Sequence, residues 1–474
     1  MLVVSIVASK KVQISKIIQT AKTELQKNTH WPDDAKLVIN SMLDAFSLVS
    51  LNLGLNSSNS SIPPSLDPNR NRRKSRAKGK KRKPGGQTGH KGSRLEPVEN
   101  PSVIEVIEID RRTLPAGNWV AAGFDKRQVI DIEVSFIVTE YQAEVLKNDK
   151  GQLYVAEFPA GVTEPAQYGV GVKATSVYSS QFQLIPQARV QDLLETQFGL
   201  SVTKGSVNNF NVLAAETLRH WNFEDWLRSK LVQSSVLHAD ETGVNLNSVR
   251  WWIHCLSNES FTYFHLDQKR GQEAMERMGV LANFQGQLVH DHWKPYFVYL
   301  CTHVLCNAHH LRELERAHEL EGQRWAKKMK AFLANLNIQV NKAGGKLSKE
   351  KNKKFQKKYR QILMIGNEEC PENKKTRAQS KSRNLLERLM NYEEETLRFM
   401  TDEATPFTNN QGERDLRMNK VQQKISGCFR SERGAKDFCL IRSYLSTCRK
   451  QGLQPMAALR ALFEGKKPSF ISPD

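Results

Sequence analysis

The sequence predicts a multidomain α/β protein, and three observations carry that expectation. Its 474 residues exceed one core, since domains average about 150 residues. Hydrophobic residues make up 39% and charged residues 25%, enough apolar material for substantial cores. Stretches of period two and stretches of helical period both occur along the chain. No apolar run approaches the roughly 20 residues of a spanning helix. The opening Leu2-Val3-Val4-Ser5-Ile6-Val7 is shorter than a secretory apolar segment and has no basic stretch before it. Membrane and secreted classes are therefore not expected. The 7 cysteines are an odd count, and the first is Cys255. That excludes a disulfide framework and favours a reducing, cytoplasmic setting.

An N-terminal helical segment is expected over residues 1–55. Leu37, Val38, Met42, Leu43, Phe46, Val49 and Leu53 recur at helical spacing over about 35–54, either as a dimerising helix or as one packed on its own domain. Residues 56–100 read as a flexible basic linker. The Asn/Ser run 56–61, Pro63-Pro64 and the basic stretch after them cannot bury apolar surface. Gly85 to Gly92 is glycine-rich but lacks the ending and the preceding strand of a phosphate-binding loop. Residues 101–165 read as a small β module, with the alternating stretch Ile130 to Val138 pairing with Gln152 to Val155 across Asn148-Asp149-Lys150-Gly151. Residues 166–230 are expected to be helical and helix-turn-helix-like: Pro186 opens one helix, Gly199 breaks it, and Ser201 or Thr203 caps the next.

The charge is concentrated. Lys and Arg number 70 against 50 Asp and Glu, a net of +20. Ten basic residues and no acid lie between Arg70 and Lys83, and fourteen basic against four acidic between Lys342 and Arg383. These two windows hold the whole excess, which points to a polyanion, with nucleic acid as the default partner. Arg72, Arg73, Lys74, Lys80, Lys81, Arg82 and Lys83 are the candidate phosphate contacts in the first window.

From Ser234 the order of elements becomes specific. Ser235 to Asp240 is a short apolar strand ending in an acid. Trp251 to Leu256 and Phe261 to Leu266 are two more, Gly271 to Met278 is helical, and Gly286 to Asp291 is a fourth strand ending in an acid. Helices follow from about Asn307. Three strands, a helix, a strand and then helices is the order of a ribonuclease-H-like core with a mixed sheet. It is expected over residues 231–450, with a basic helical insertion at about 310–400 and a C-terminal tail at 451–474. Asp240 and Asp291 would meet on adjacent strands. Paired carboxylates repel unless a cation lies between them, and oxygen ligands suit Mg²⁺ or Mn²⁺. Glu413 is the candidate third acid for a two-metal site. Asn409 or Asn410 would cap its helix, with Arg417 and Lys420 at i+4 and i+7. Glu241 and Asp415 compete for the same roles on composition alone.

Several stretches in order resemble the insertion-sequence-sixty-six family of bacterial transposases, the TnpC-like class with a DDE triad. They are Leu55 to Ser61 with Pro63-Pro64, Gly85 to Gly92, His238-Ala239-Asp240-Glu241-Thr242-Gly243, Lys269-Arg270-Gly271 and Leu288 to Trp293. Next come Cys306-Asn307-Ala308-His309 with Leu311 to Leu314. The last block runs from Pro406 through Asn409-Asn410, Glu413-Arg414, Lys424 to Gly427 and Arg430-Ser431 to Ile441 to Thr447. The resemblance implies Asp240, Asp291 and Glu413 as catalytic, metal-holding acids. Arg414, Arg417, Lys420 and Arg430 are further candidate DNA contacts. The implied function is metal-dependent strand cleavage and strand transfer of an insertion sequence, on DNA ends and target. A homo-oligomer, accessory proteins of the same element and a bacterial nucleoid setting belong to that expectation. A transposase-derived DNA-binding protein without catalysis is the alternative. A nuclease acting on branched DNA shares the fold but not the long insertion. Family members carry paired CxxC cysteines in the β module; this chain has no cysteine before Cys255, so zinc is not expected there. Cys301, His303, Cys306 and His309 lie too close together in sequence to wrap an ion. Cys306 and His309 are read as structural support.

Overall fold

The computed structural model describes residues 17–27, 30–52, 55–60, 67, 95–132, 134–373 and 379–471. Residues 17–27 (α1) and Asp33–Asn52 (α2) are helical, two helices where the periodicity predicted one. α1 buries Ile18 and Leu25, while Leu37, Val38, Met42 and Phe46 of α2 stay exposed. Residues 55–60, expected as the start of a flexible linker, form a hydrogen-bonded turn. Asn59 Oδ1 accepts from the Asn56 N–H at 2.8 Å, Asn56 Oδ1 accepts from the Ser58 N–H at 2.8 Å, and Asn59 Nδ2 donates to Glu319 at 2.9 Å. Asparagine makes order here without apolar burial, because its side chain bonds its own backbone. The basic run from Arg70 to Lys83 and the glycine-rich stretch lie outside the described residues.

The β module is smaller than predicted. β1 (Val145–Lys147) and β2 (Leu153–Val155) pair antiparallel across the expected turn. Val145–Lys147 takes the place predicted for the stretch Ile130 to Val138, which joins no ladder among the described residues. Every residue of both strands is exposed. Helices follow: α3 (Val170–Val177), which runs into a single π-turn at Tyr178–Phe182, α4 (Gln187–Phe198), α5 (Lys204–His220) and α6 (Phe223–Val232). Gly199 closes α4 at φ 65°, a left-handed position that suits glycine. Thr203 caps α5, its hydroxyl accepting from the Ser206 N–H at 3.1 Å. Pro186 and Gly199 thus stand where the sequence put them.

The central sheet contains β3 (Val236–Leu246), β4 (Val249–Ser257), β5 (Thr262–Asp267), β6 (Gln287–His290) and β7 (Thr302–Leu305), in the order β5-β4-β3-β6-β7. β3, β4 and β5 are an antiparallel meander, whereas β6 runs parallel to β3 and β7 parallel to β6. α7 (Gln272–Met278) makes the crossover. β3 does not end at Asp240 as predicted. It continues to Leu246 and turns through Asn247 and Ser248, at φ 46° and 66°, the positive values a tight hairpin requires. β7 was not predicted, since four residues carry too little alternation to read.

The insertion is a helical body with its own core: α8 (Asn307–Glu321), α9 (Arg324–Lys342), α10 (Lys349–Glu369), α11 (Lys381–Asn391) and α12 (Glu393–Leu397) close around Trp325, Leu333, Tyr359 and Leu386. α13 (Asn410–Ser426) and α14 (Glu432–Lys450) return to the sheet, packing Leu416, Ala435 and Phe438 against Val244, Ile253 and Phe264. The segment expected as a tail instead contributes α15 (Pro455–Phe463), with Ala458, Leu459 and Leu462 buried. Its apolar residues recur at helical spacing behind Pro455, a pattern that marks a packed helix.

Candidate active site

Strand pairing starts the site. Val236, Leu237 and His238 of β3 face Gln287, Leu288 and Val289 of β6. Asp240 and Asp291 each lie two residues beyond the last paired rung, so the two acids leave adjacent strands at the same level. Side chains alternate along a strand. Asp240 therefore takes the face covered by α13, while Glu241 takes the opposite face.

Neutralisation separates these acids. Among the described residues, Asp240 Oδ1 accepts only the neighbouring Glu241 N–H at 2.9 Å. Loss of water, then the Glu241 charge, push its carboxyl up to about 7; Asp291 adds to the rise and Lys420 opposes it. Asp291 is also raised, by burial first and Glu241 second, with one bond accepted from the Trp293 N–H at 3.0 Å. Glu241 is fully engaged: Oε1 accepts from Arg270 at 3.0 and 2.6 Å, and Oε2 accepts from the Tyr296 hydroxyl at 2.6 Å. Asp415 is held likewise, 2.6 Å from Lys450 Nζ and 3.0 Å from Gln411 Nε2. The two competitors are thus tied into structural pairs, and the two candidates are under-neutralised acids side by side.

Glu413 lies in the first turn of α13, as the cap predicted. Asn409 stands at the N-cap, but its side chain does not bond the helix. Its Nδ2 donates to Ala239 O at 2.7 Å, its Oδ1 accepts from His238 Nδ1 at 2.8 Å, and its backbone N–H donates to Cys306 Sγ at 3.1 Å. This one residue ties the start of α13 to the strand residues before Asp240 and to the start of α8. Nothing in the spacing marked that role. Glu413 itself meets α8 rather than the aspartates: donor atoms of Cys306, His309 and Glu413 all lie within 4.8 Å of one another. Arg312 Nη2 is 3.7 Å away. Glu413 Oε1 and His309 Nδ1 are buried without a hydrogen-bond partner among the described residues. Burial, then Arg312, lower His309 to about 4, so it is neutral.

The other two residues of the predicted cysteine–histidine cluster point elsewhere. His303 bonds His290 and Tyr299 O, each at 3.0 Å, and Cys301 packs against the main core. His290 and His292 sit among the aromatic rings of Tyr296, Phe297 and Tyr392. Trp252 is half-buried and carries two guanidinium groups on its ring. On α13, Arg414, Arg417 and Lys420 are exposed, as is Arg430 beyond it. No described helix is long and apolar enough to cross a membrane.

The residues fit a hard divalent ion. A half-buried carboxyl raised to about 7 beside a second raised one is relieved by a cation between them. The orphaned Glu413 oxygen adds a further unspent ligand atom. The family model described as transposase IS66 family matches residues 165–437, more than half of the chain. No curated protein matches it.

Proposed function

Because the chain belongs to the transposase IS66 family, we propose that it is a DDE-type DNA transposase that cuts and joins DNA at Asp240, Asp291 and Glu413. The observation that carries this reading is the pair of under-neutralised aspartates, Asp240 on β3 and Asp291 just past the end of its parallel neighbour β6, beside two acids held by cations. The strand order β5-β4-β3-β6-β7 supports a ribonuclease-H-like core over 231–450, with the insertion at about 310–400. The capped pair α4–α5 supports a helix-turn-helix region within 166–230.

Asp240 and Asp291 offer the ligand oxygens, and Glu413 completes the set from α13. Bound Mg²⁺ or Mn²⁺ would supply the positive charge that makes water a nucleophile at neutral pH and stabilises the leaving oxygen. Cys306 and Asn409 hold α13 against β3 and α8; His309 packs beside Glu413, and zinc has no part in this reading. Arg414, Arg417, Lys420, Arg430 and the basic run from Arg70 hold phosphates. Water's oxygen bonds to phosphorus as the bond to the 3′ oxygen breaks, and that oxygen leaves as a hydroxyl. It then attacks a target phosphodiester in the same way, with no covalent link to protein. Two DNA ends must meet, so a homo-oligomer on DNA follows, with accessory proteins of the same element as further partners.

The test is purified protein with duplex DNA carrying the element's ends and Mg²⁺. A new free 3′-hydroxyl at the element boundary supports the reading. Binding without any nick would leave a transposase-derived DNA-binding protein.

A further inference from the structure

We propose that Arg250, Trp252, Arg270 and Trp293 form a stacking site for an unpaired nucleobase of the strand being cut. The inference rests on the DNA-cleavage reading and extends it to how the strand is held. The four side chains alternate as guanidinium and indole. The Arg250 guanidinium lies 5.2 Å from the centre of the Trp252 ring, and that of Arg270 lies 4.8 Å from the same ring and 4.3 Å from Trp293. Glu241 fixes the Arg270 plane through two hydrogen bonds to one oxygen, and Tyr296 fixes Glu241 in turn. The layers are therefore set before any ligand arrives.

The backbone makes room for this ladder. Across the β3–β4 pairing, Gly243 faces Trp252 and Asn245 faces Arg250. A Cβ at Gly243 would come within 2.2 Å of Arg250 Nε, so any other residue would force the guanidinium off the strand. At the far end, the Trp293 N–H donates to Asp291 at 3.0 Å. The ladder thus ends two residues from the acid pair.

A clip that only fastened the β5–α7 loop would need Arg270 and Glu241, and nothing beyond them. Arg250 is exposed and, among the described residues, pairs with no carboxylate, so its charge is free for a ligand. Bases stack on indole and guanidinium planes regardless of sequence, and a guanidinium also meets the adjoining phosphate. Bases inside a duplex offer no free face, whereas the strand parted at a cleavage point does. The chemistry selects an unpaired base at that junction.

The experiment compares binding of the full chain to a blunt duplex and to the same duplex with a short unpaired thymidine tail, by fluorescence anisotropy. Wild type should prefer the tailed DNA by about tenfold, the scale of one stacked base. Arg250→Ala and Trp252→Leu, each checked for folding by thermal melting, should reduce the ratio to near one. An unchanged ratio in a folded variant, including equal weakening on both DNAs, overturns the proposal, as does a wild type without preference for the tail. Failure of the DNA-cleavage reading looks different: in a parallel gel assay with Mg²⁺ the DNA would be bound but never nicked, whatever the tail preference.

Discussion

Asp240 and Glu241 are neighbours in sequence and opposites in environment. On one face of β3, Asp240 is half-buried near Asp291, its carboxylate accepting one backbone bond among the described residues. On the other, both oxygens of Glu241 are held by Arg270 and Tyr296, and one oxygen of Asp415 is held by Lys450 and Gln411. Residue type carries none of this difference. Strand alternation sends one acid toward α13 and the other toward Arg270, and partner supply decides what each can do. An acid already paired adds stability; an acid left short of partners can take a cation.

The largest expected effect tests that division directly. Alanine at Asp240, Asp291 or Glu413 should each lower strand cleavage by about 10³-fold or more, with DNA binding kept, because ligands of one site fail together. Glu241→Gln and Asp415→Asn should keep cleavage within about tenfold. Gel assays with end-labelled DNA read both. If Glu241→Gln abolishes cleavage while Asp240→Ala does not, the two faces have been assigned the wrong way round.

Stability gives a second contrast, with a sign that can be worked out. Asp240 ionises near 4 in the unfolded chain and at about 7 in the fold. A raised carboxyl favours the fold while it is protonated. The native state therefore loses stability as pH rises from about 4 to 7, and the full penalty applies above that. Asp240→Asn should stabilise the protein at pH 8 by up to about 4 kcal/mol, the scale of a three-unit shift, and by little at pH 4. Mg²⁺ should raise the melting temperature of wild type at pH 8 and leave Asp240→Asn nearly unmoved, since binding stabilises only the state that binds. Equal melting shifts in both proteins would remove Asp240 from the metal set.

The paired acids should behave in the reverse sense. Glu241→Gln leaves Arg270 and the buried Tyr296 hydroxyl with a weaker acceptor, and Asp415→Asn does the same to Lys450. Each should cost about 1–3 kcal/mol, read by urea denaturation well below pH 7, where Asp240 is protonated and relief of its repulsion with Glu241 adds nothing. A stabilised Glu241→Gln would mean that this acid too is under-neutralised.

Much of this was legible. The acids Asp240 and Asp291 on neighbouring strands, the helix after Gly271, the cap at Thr203, the start of α13 and the insertion follow from alternation and turn residues that act locally. The links that finish the site are not local. Arg270 reaches Glu241 from 29 residues away, and Asn409 reaches Ala239 from 170, so no spacing rule contains them. Four-residue β7 is too short to announce itself, and the extension of β3 past Asp240 crosses a Thr-Gly pair that reads as a break. The opposite error occurred at Ile130 to Val138, where strong alternation makes no ladder. Alternation reports a surface fit to be half buried, but not whether anything covers it.

That contrast supplies the smallest prediction. β1 and β2 have the apolar residues of a strand pair, yet Leu146, Leu153 and Tyr154 are 58%, 66% and 73% exposed. In the central sheet, Leu237, Val244 and Ile253 are fully buried under α7, α13 and α14. Replacing Leu153 or Tyr154 by Ser removes side chains that water already reaches. It should shift stability by less than about 0.5 kcal/mol, against about 2–5 kcal/mol for Ile253→Ala. Thermal and urea melts of the full chain separate these magnitudes easily. A loss near 2 kcal/mol at Tyr154 would mean that the hairpin packs against something in solution, and the exposed stretch from Val103 to Phe158 would then be an interface.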